Sequence, residues 1–239
     1  MLAKELLSTT KPLNCIFIHQ TWALPGINEY KYPNVSYSES WKTHNKDCVH
    51  VLWNDEDNHE LIDKYYPEYR DFFAKLPLFI HKLDFVRLLY LHKYGGIYAD
   101  MDFECKTNIS QYITDVCIVE SPLCMETVQN SLMGCNRAGH PFWLKVIEQI
   151  IHSFSKIWYC KYGDPGYGGE QFFHRRLTRH IAFSAFTSTL SGPGALDRTL
   201  ARENWNIIRL NSEFYRGKHA YHHEKASWLS ILRITSFIS

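Results

Sequence analysis

The chain has 239 residues, 45% of them hydrophobic and 21% charged, with a formal net charge of +1. That size and composition exclude a disordered chain and suit one α/β domain, or one with a small appendage. The small charge argues against a dedicated nucleic-acid binder, and no apolar run approaches the roughly 20 residues of a membrane helix.

Seven cysteines are scattered without Cys-x-x-Cys spacing, a pattern of free thiols in a reducing compartment rather than a disulfide framework. The opening MLAKELLSTTK is too short and too interrupted for a secretory signal. The expectation is a cytoplasmic protein.

In chain order, Cys15 to Trp22 is predicted as the first strand, an apolar run that ends in His19, Gln20 and Trp22. Open α/β sheets bind ligands at that end of their strands. Ser36 to His44 reads as a short helix and Val49 to Trp53 as a second strand. Asn54 or Asp55 can cap the next helix, which runs to about Tyr65, and Pro67 marks a new start.

The stretch from Leu83 to Glu104 organises the rest. Its first half is a helix that is apolar on nearly every side, yet it carries Asp84 and Arg87, three residues apart on one face. Charges in such a helix are costly unless paired or used. Gly95 and Gly96 stop it, because glycine accepts the left-handed backbone common past a helix end. Strand alternation then follows, with Ile97, Ala99, Met101 and Phe103 on one face and Tyr98, Asp100 and Asp102 on the other. Two carboxylates one pleat repeat apart repel, and a hard divalent cation such as Mg²⁺ or Mn²⁺ is the common remedy.

Beyond Phe103 the pattern loosens. Val116 to Val119 is a short strand, and Ser131 to Cys135 another apolar segment after Asn130. Pro141 starts a helix to about Ser155. Tyr162 to Gly169 is a glycine-rich loop without the spacing or lysine of a phosphate-gripping loop. The Ser191–Gly194 turn precedes a helix from Ala195 to Arg202, and Trp205 to Leu210 reads as a strand. Near the end lie His222, His223, Ser227 and Trp228.

The run Asp84-Phe85-Val86-Arg87 followed by Tyr94-Gly95-Gly96-Ile97-Tyr98-Ala99-Asp100-Met101-Asp102 resembles glycosyltransferase family 32, sugar-transferring enzymes related to the glucosylating domain of large bacterial toxins. Further likeness lies in Ile18-His19-Gln20-Thr21-Trp22, in Asn130 with Gly139-His140-Pro141-Phe142, and in His222-His223 with Ser227-Trp228. The resemblance implies an α/β fold of the GT-A type, a single Rossmann-like mixed sheet flanked by helices. It implies a nucleotide-binding half over about 13–105 and an acceptor and donor-sugar half over about 106–239.

The resemblance also implies roles. Trp22 stacks on the nucleotide base, with His19, Tyr98 and Asp100 as further nucleotide contacts. Asp102 binds the metal directly and Asp100 through water, with His223 as a third ligand. The toxin relatives use an acid where this chain has histidine. Ser227 and Trp228 touch the diphosphate, while Asp84, Arg87 and Asn130 face the donor sugar. The implied reaction is transfer from a UDP-hexose or GDP-mannose to a glycan, lipid or protein hydroxyl, with Mn²⁺ or Mg²⁺ and retention of configuration. No carboxylate announces itself as a covalent nucleophile, so front-face attack within an ion pair is expected. Metal-dependent phosphohydrolysis and sugar-nucleotide binding without catalysis are the alternatives. The tail from Trp228 to Ile238 is open to peripheral membrane contact, with packing against the core the favoured expectation.

Overall fold

The computed structural model describes residues 3–9, 15–22, 35–122, 126–162 and 188–224. Its centre is a six-stranded sheet built from β1 (Ile16–Thr21), β2 (Cys48–Trp53), β3 (Gly96–Ala99), β5 (Cys117–Glu120), β6 (Val128–Cys135) and β7 (Ile208–Leu210), in the order β2-β1-β3-β6-β5-β7. β1 runs parallel to β2 and β3, β6 is antiparallel to β3 and β5, and β7 is parallel to β5. Strands from both expected halves therefore share one sheet. The mixed, Rossmann-like sheet that the resemblance implies is the observed one. A separate two-stranded ladder pairs β4 (Phe103–Cys105) with β8 (Ala220–His222), antiparallel, with Phe103 opposite His222.

Helices cover both faces. α1 (Ala3–Ser8) packs on α3 (Asp55–Tyr65), α2 (Val35–His44) covers β4, and α4 (Arg70–Lys75) leads into α5 (Phe79–Tyr94). α6 (Pro141–Tyr162) lies against α5, and α7 (Pro193–Arg202) against α6. Asn54 caps α3 reciprocally with Asp57, the capping box its sequence allows.

α5 is the helix with no polar side. Phe85, Val86, Leu88, Leu89 and Leu91 are each at most 1% exposed, and burying such side chains contributes roughly 1.5–3 kcal/mol apiece. Gly95 and Gly96 end the helix at φ of 67° and 87°. A Cβ on Gly96 would sit 2.2 Å from the Phe17 carbonyl oxygen, so the second glycine also lets β3 close onto β1.

Some elements differ in extent from their sequence patterns. β3 stops at Ala99 where alternation predicts a strand through Phe103. Phe103 N–H bonds the Asp100 carbonyl at 3.0 Å, and the chain turns there from the large sheet into β4. α6 continues past Ser155 to Tyr162, and β7 is shorter than the Trp205–Leu210 run. The rest of the glycine-rich stretch, together with Ser227, Trp228 and the tail, lies outside the described residues.

Candidate active site

The site forms at the C-terminal ends of β1 and β3, where open α/β sheets place their ligands. Beneath it lies a buried polar group on α5. Asp84 and Arg87 are each 3% exposed. Asp84 Oδ1 accepts from Asn130 Nδ2 at 2.8 Å, and Oδ2 accepts from Ser191 Oγ at 2.7 Å. Arg87 Nη2 lies 3.3 Å from Asp84 Oδ1, while Nη1 lies 3.3 Å from Asp100 Oδ1 and donates to the Asn130 carbonyl at 3.0 Å. The guanidinium also sits 4.7 Å over the Tyr98 ring, whose hydroxyl donates to Asp100 Oδ1 at 2.7 Å.

Burial raises the Asp84 carboxyl, with Arg87 the main opposing influence. Loss of water also raises the Asp100 carboxyl; Arg87 opposes this and the Asp102 charge adds to it. For Arg87, burial works against the charge, but Tyr98, Asp100 and Asp84 outweigh it and hold the guanidinium firmly protonated. Two crowded acids over one arginine leave the outer carboxylate short of positive charge.

That outer charge is gathered by a histidine from β8. Asp100, Asp102 and His222 each offer one ligand atom, all within 4.8 Å of one another. His222 Nε2 lies 3.0 Å from Asp102 Oδ1, and its Nδ1 lies 2.8 Å from the Tyr215 hydroxyl, which bonds Glu224 Oε1 at 3.0 Å. Burial would lower the His222 imidazole, but the Asp102 hydrogen bond and the charges of Asp102, Asp100 and Glu224 outweigh it and raise its proton affinity. The donor set, two carboxylates and one imidazole steadied at its far nitrogen, fits Mn²⁺ or Mg²⁺.

The structure brings together Asp84, Arg87, Asp100, Asp102 and Asn130 and gives His223, His19 and Tyr98 other contacts. His223 does not face the acids; its Nε2 lies 3.0 Å from Glu104 Oε2 and its ring stacks on Tyr37 at 3.9 Å. The antiparallel register sets His222 beside Phe103, and the neighbouring side chain therefore goes elsewhere. His19 is fully buried, with Nε2 on the Gly95 carbonyl at 3.0 Å and Nδ1 accepting from Trp53 Nε1 at 3.2 Å, so neither nitrogen is left for a nucleotide. Burial lowers its pKa to about 3. Tyr98 is 1% exposed, and its hydroxyl is engaged by Asp100. Trp22 stands half-buried at the end of β1, bonded through its N–H to the Trp53 carbonyl at 3.1 Å. Ser191, read from sequence as part of a turn, and His222 complete the group.

A mixed sheet flanked by helices in this order is the GT-A type of fold seen in solved glycosyltransferase domains. The catalytic domain of alpha-toxin from Clostridium novyi superposes with a TM-score of 0.53, covering 99% of this chain and 86% of that one at 11% identity. The UDP-bound glycosyltransferase domain of the YGT toxin gives 0.51, covering 93% and 89%, also at 11% identity. These likenesses establish the fold. Residues 34–121, the segment that holds Asp84, Arg87, Asp100 and Asp102, match the family described as glycosyltransferase sugar-binding region containing DXD motif. The mannosyl phosphorylinositol ceramide synthase SUR1 of Saccharomyces cerevisiae is 30% identical over 148 residues, 58% of this chain and 37% of that protein. The inositol phosphoceramide mannosyltransferase 3 of Schizosaccharomyces pombe is 31% identical over 144 residues, 56% of this chain and 39% of that protein. The chain thus matches less than two fifths of the length of these curated relatives.

Proposed function

We propose that this chain is a metal-dependent, retaining glycosyltransferase that moves a hexosyl group from a nucleoside diphosphate sugar to a hydroxyl acceptor. The observation that carries the reading is the Asp100, Asp102 and His222 cluster, whose two acids lie inside the segment that matches the DXD family. A divalent cation held there supplies Lewis-acid neutralisation of the diphosphate leaving group. Asp102 and Asp100 offer the carboxylate oxygens, and Tyr215 keeps the His222 ring in its ligating orientation. Arg87 balances Asp84 and Asp100 from below and keeps the acids from splaying apart. Trp22 would meet the base, with Ser227 and Trp228 at the diphosphate.

Asp84, hydrogen-bonded to Asn130 and Ser191, would lie with them on the donor-sugar side. Both Asp84 oxygens are already bonded and the residue is buried, a poor arrangement for a covalent nucleophile. This supports attack by the acceptor on the same face that the diphosphate leaves, with the departing phosphate taking the acceptor proton. The names of the yeast relatives point first to a mannosyl donor and an inositol phosphoceramide acceptor. No helix among the described residues is long and apolar enough to cross a membrane.

The test is diphosphate release from GDP-mannose and a set of UDP-sugars, with Mn²⁺ and then with EDTA. Release from one donor that disappears with EDTA is the expected result. Asp102→Asn should lower it about a hundredfold or more while the melting temperature holds. Undiminished turnover in EDTA or in the variant would remove the metal from the mechanism. Phosphate release from simple esters instead would favour a phosphohydrolase.

A further inference from the structure

The separation of the two acids depends on the backbone between them. β3 ends at Ala99, and the chain turns through Asp100, Met101 and Asp102 before β4 begins. The turn's own bond is Phe103 N–H to the Asp100 carbonyl at 3.0 Å. One such bond is a slight restraint on two neighbouring like charges. The rest of the restraint comes from outside the turn.

Gln20 is fully buried at the end of β1, and its Nε2 donates to the same Asp100 carbonyl at 3.3 Å. A carbonyl only accepts, so the amide nitrogen of Gln20 must face Asp100 and its oxygen must face away. That oxygen is met by two donors, Ser38 Oγ at 2.8 Å and His50 Nε2 at 2.7 Å. His50 stays neutral, lowered to about 4 chiefly by burial, with a ring N–H for the bond. Beyond the turn, Trp41 Nε1 donates to the Phe103 carbonyl at 2.8 Å, and Cys105 N–H donates to Ser40 Oγ at 2.8 Å. Ser38, Ser40 and Trp41 all belong to α2. One helix and one strand end therefore grip the acid turn on both sides.

We propose that Gln20, aligned by Ser38 and His50, is a positioning residue that fixes the Asp100 carbonyl and thereby sets the cation affinity of the Asp100, Asp102 and His222 site. The proposal rests on the cation reading given above. Gln20 acts through a backbone carbonyl and not through contact with the ligand. Replacing it with methionine keeps length and volume but removes the donor to Asp100 and leaves the Ser38 and His50 donors facing apolar atoms.

The experiment is a Mn²⁺ titration of the full chain, following the paramagnetic resonance of free Mn²⁺, with no nucleotide and no turnover required. Gln20→Met should raise the Mn²⁺ dissociation constant about tenfold, within the range seen when partners of metal ligands are removed. Ser38→Ala takes one of two donors from the Gln20 oxygen and should raise it by roughly threefold. Ile150→Ala, in α6 and outside this network, should lower the melting temperature and leave Mn²⁺ binding unchanged. Wild-type affinity in Gln20→Met overturns the role. Equal weakening in Ile150→Ala also overturns it, because the effect would then be general loss of stability. If Gln20→Met fails to fold, Ser38→Ala at an unchanged melting temperature decides the matter by the same criterion. Asp102→Asn is titrated alongside: if the wild type binds no Mn²⁺, or binds it regardless of Asp102, the cation reading itself fails and the role with it.

Discussion

Two adjacent histidines, His222 and His223, take different acids as partners. His222 Nε2 stands 3.0 Å from Asp102, while His223 Nε2 stands 3.0 Å from Glu104 under the Tyr37 ring. His222→Phe should therefore weaken Mn²⁺ binding by about tenfold or more, whereas His223→Phe should change it less than about twofold. Calorimetric titration of both variants decides this, and the reverse order would restore His223 as the ligand. Arg87 is the other decisive side chain. It spans Asp84, Asp100 and the Asn130 carbonyl while 3% exposed, so Arg87→Met would leave buried carboxylate without its counter-charge. Breaking a buried pair from one side costs about 3–5 kcal/mol, and urea unfolding should show a loss of that size. A loss under about 1 kcal/mol would mean that Asp84 is protonated and needs no partner.

At the scale of the element, the unit formed by α5, the two glycines and β3 carries the site. Gly96 sits at φ 87° with the Phe17 carbonyl oxygen 2.2 Å from where a Cβ would be. Gly96→Ala combines backbone strain with a clash against main chain that cannot rotate away. It should cost at least about 3 kcal/mol, read as a lowered denaturant midpoint. This unit was legible from sequence because its signals are local: an unbroken apolar helix, paired glycines, then alternation. The turn after Ala99 was not legible, because Met101 and Phe103 are buried at 4% and 0% and so continue the alternating pattern through a change of sheet. Nor could the sequence choose between His222 and His223, since the choice follows from β4–β8 register across more than a hundred residues. His19 misled for a related reason: a polar residue at a strand end suggests a ligand contact, but here the Gly95 carbonyl and Trp53 take both of its nitrogens.

The whole molecule carries several histidines in places where a charge is expensive, and this governs its response to acid. His19 and His81 are both fully buried, and burial lowers each pKa to about 3. In the unfolded chain both titrate near the ordinary value of about 6.5. The folded pKa lies below the unfolded one, so the unfolded state binds more protons throughout that interval. Stability is complete above about pH 6.5 and falls as pH drops toward 3, by at most about 1.4 kcal/mol per pH unit for each ring. Asp84 and Asp100, raised in the fold, act in the opposite sense around the carboxylate range, so the wild-type curve is a mixture. His81 can be isolated from it. Neither of its ring nitrogens has a hydrogen-bond partner among the described residues, and the ring meets Phe154 edge-on at 5.0 Å. His81→Phe should therefore be close to neutral at pH 7.5, because it removes no bond and keeps an aromatic ring in place. At pH 5 the variant should be the more stable protein by roughly 2 kcal/mol, measured as the difference between urea unfolding curves at the two pH values. Parallel pH profiles for the two proteins would mean that His81 finds a partner or water in the fold and is not held neutral by burial.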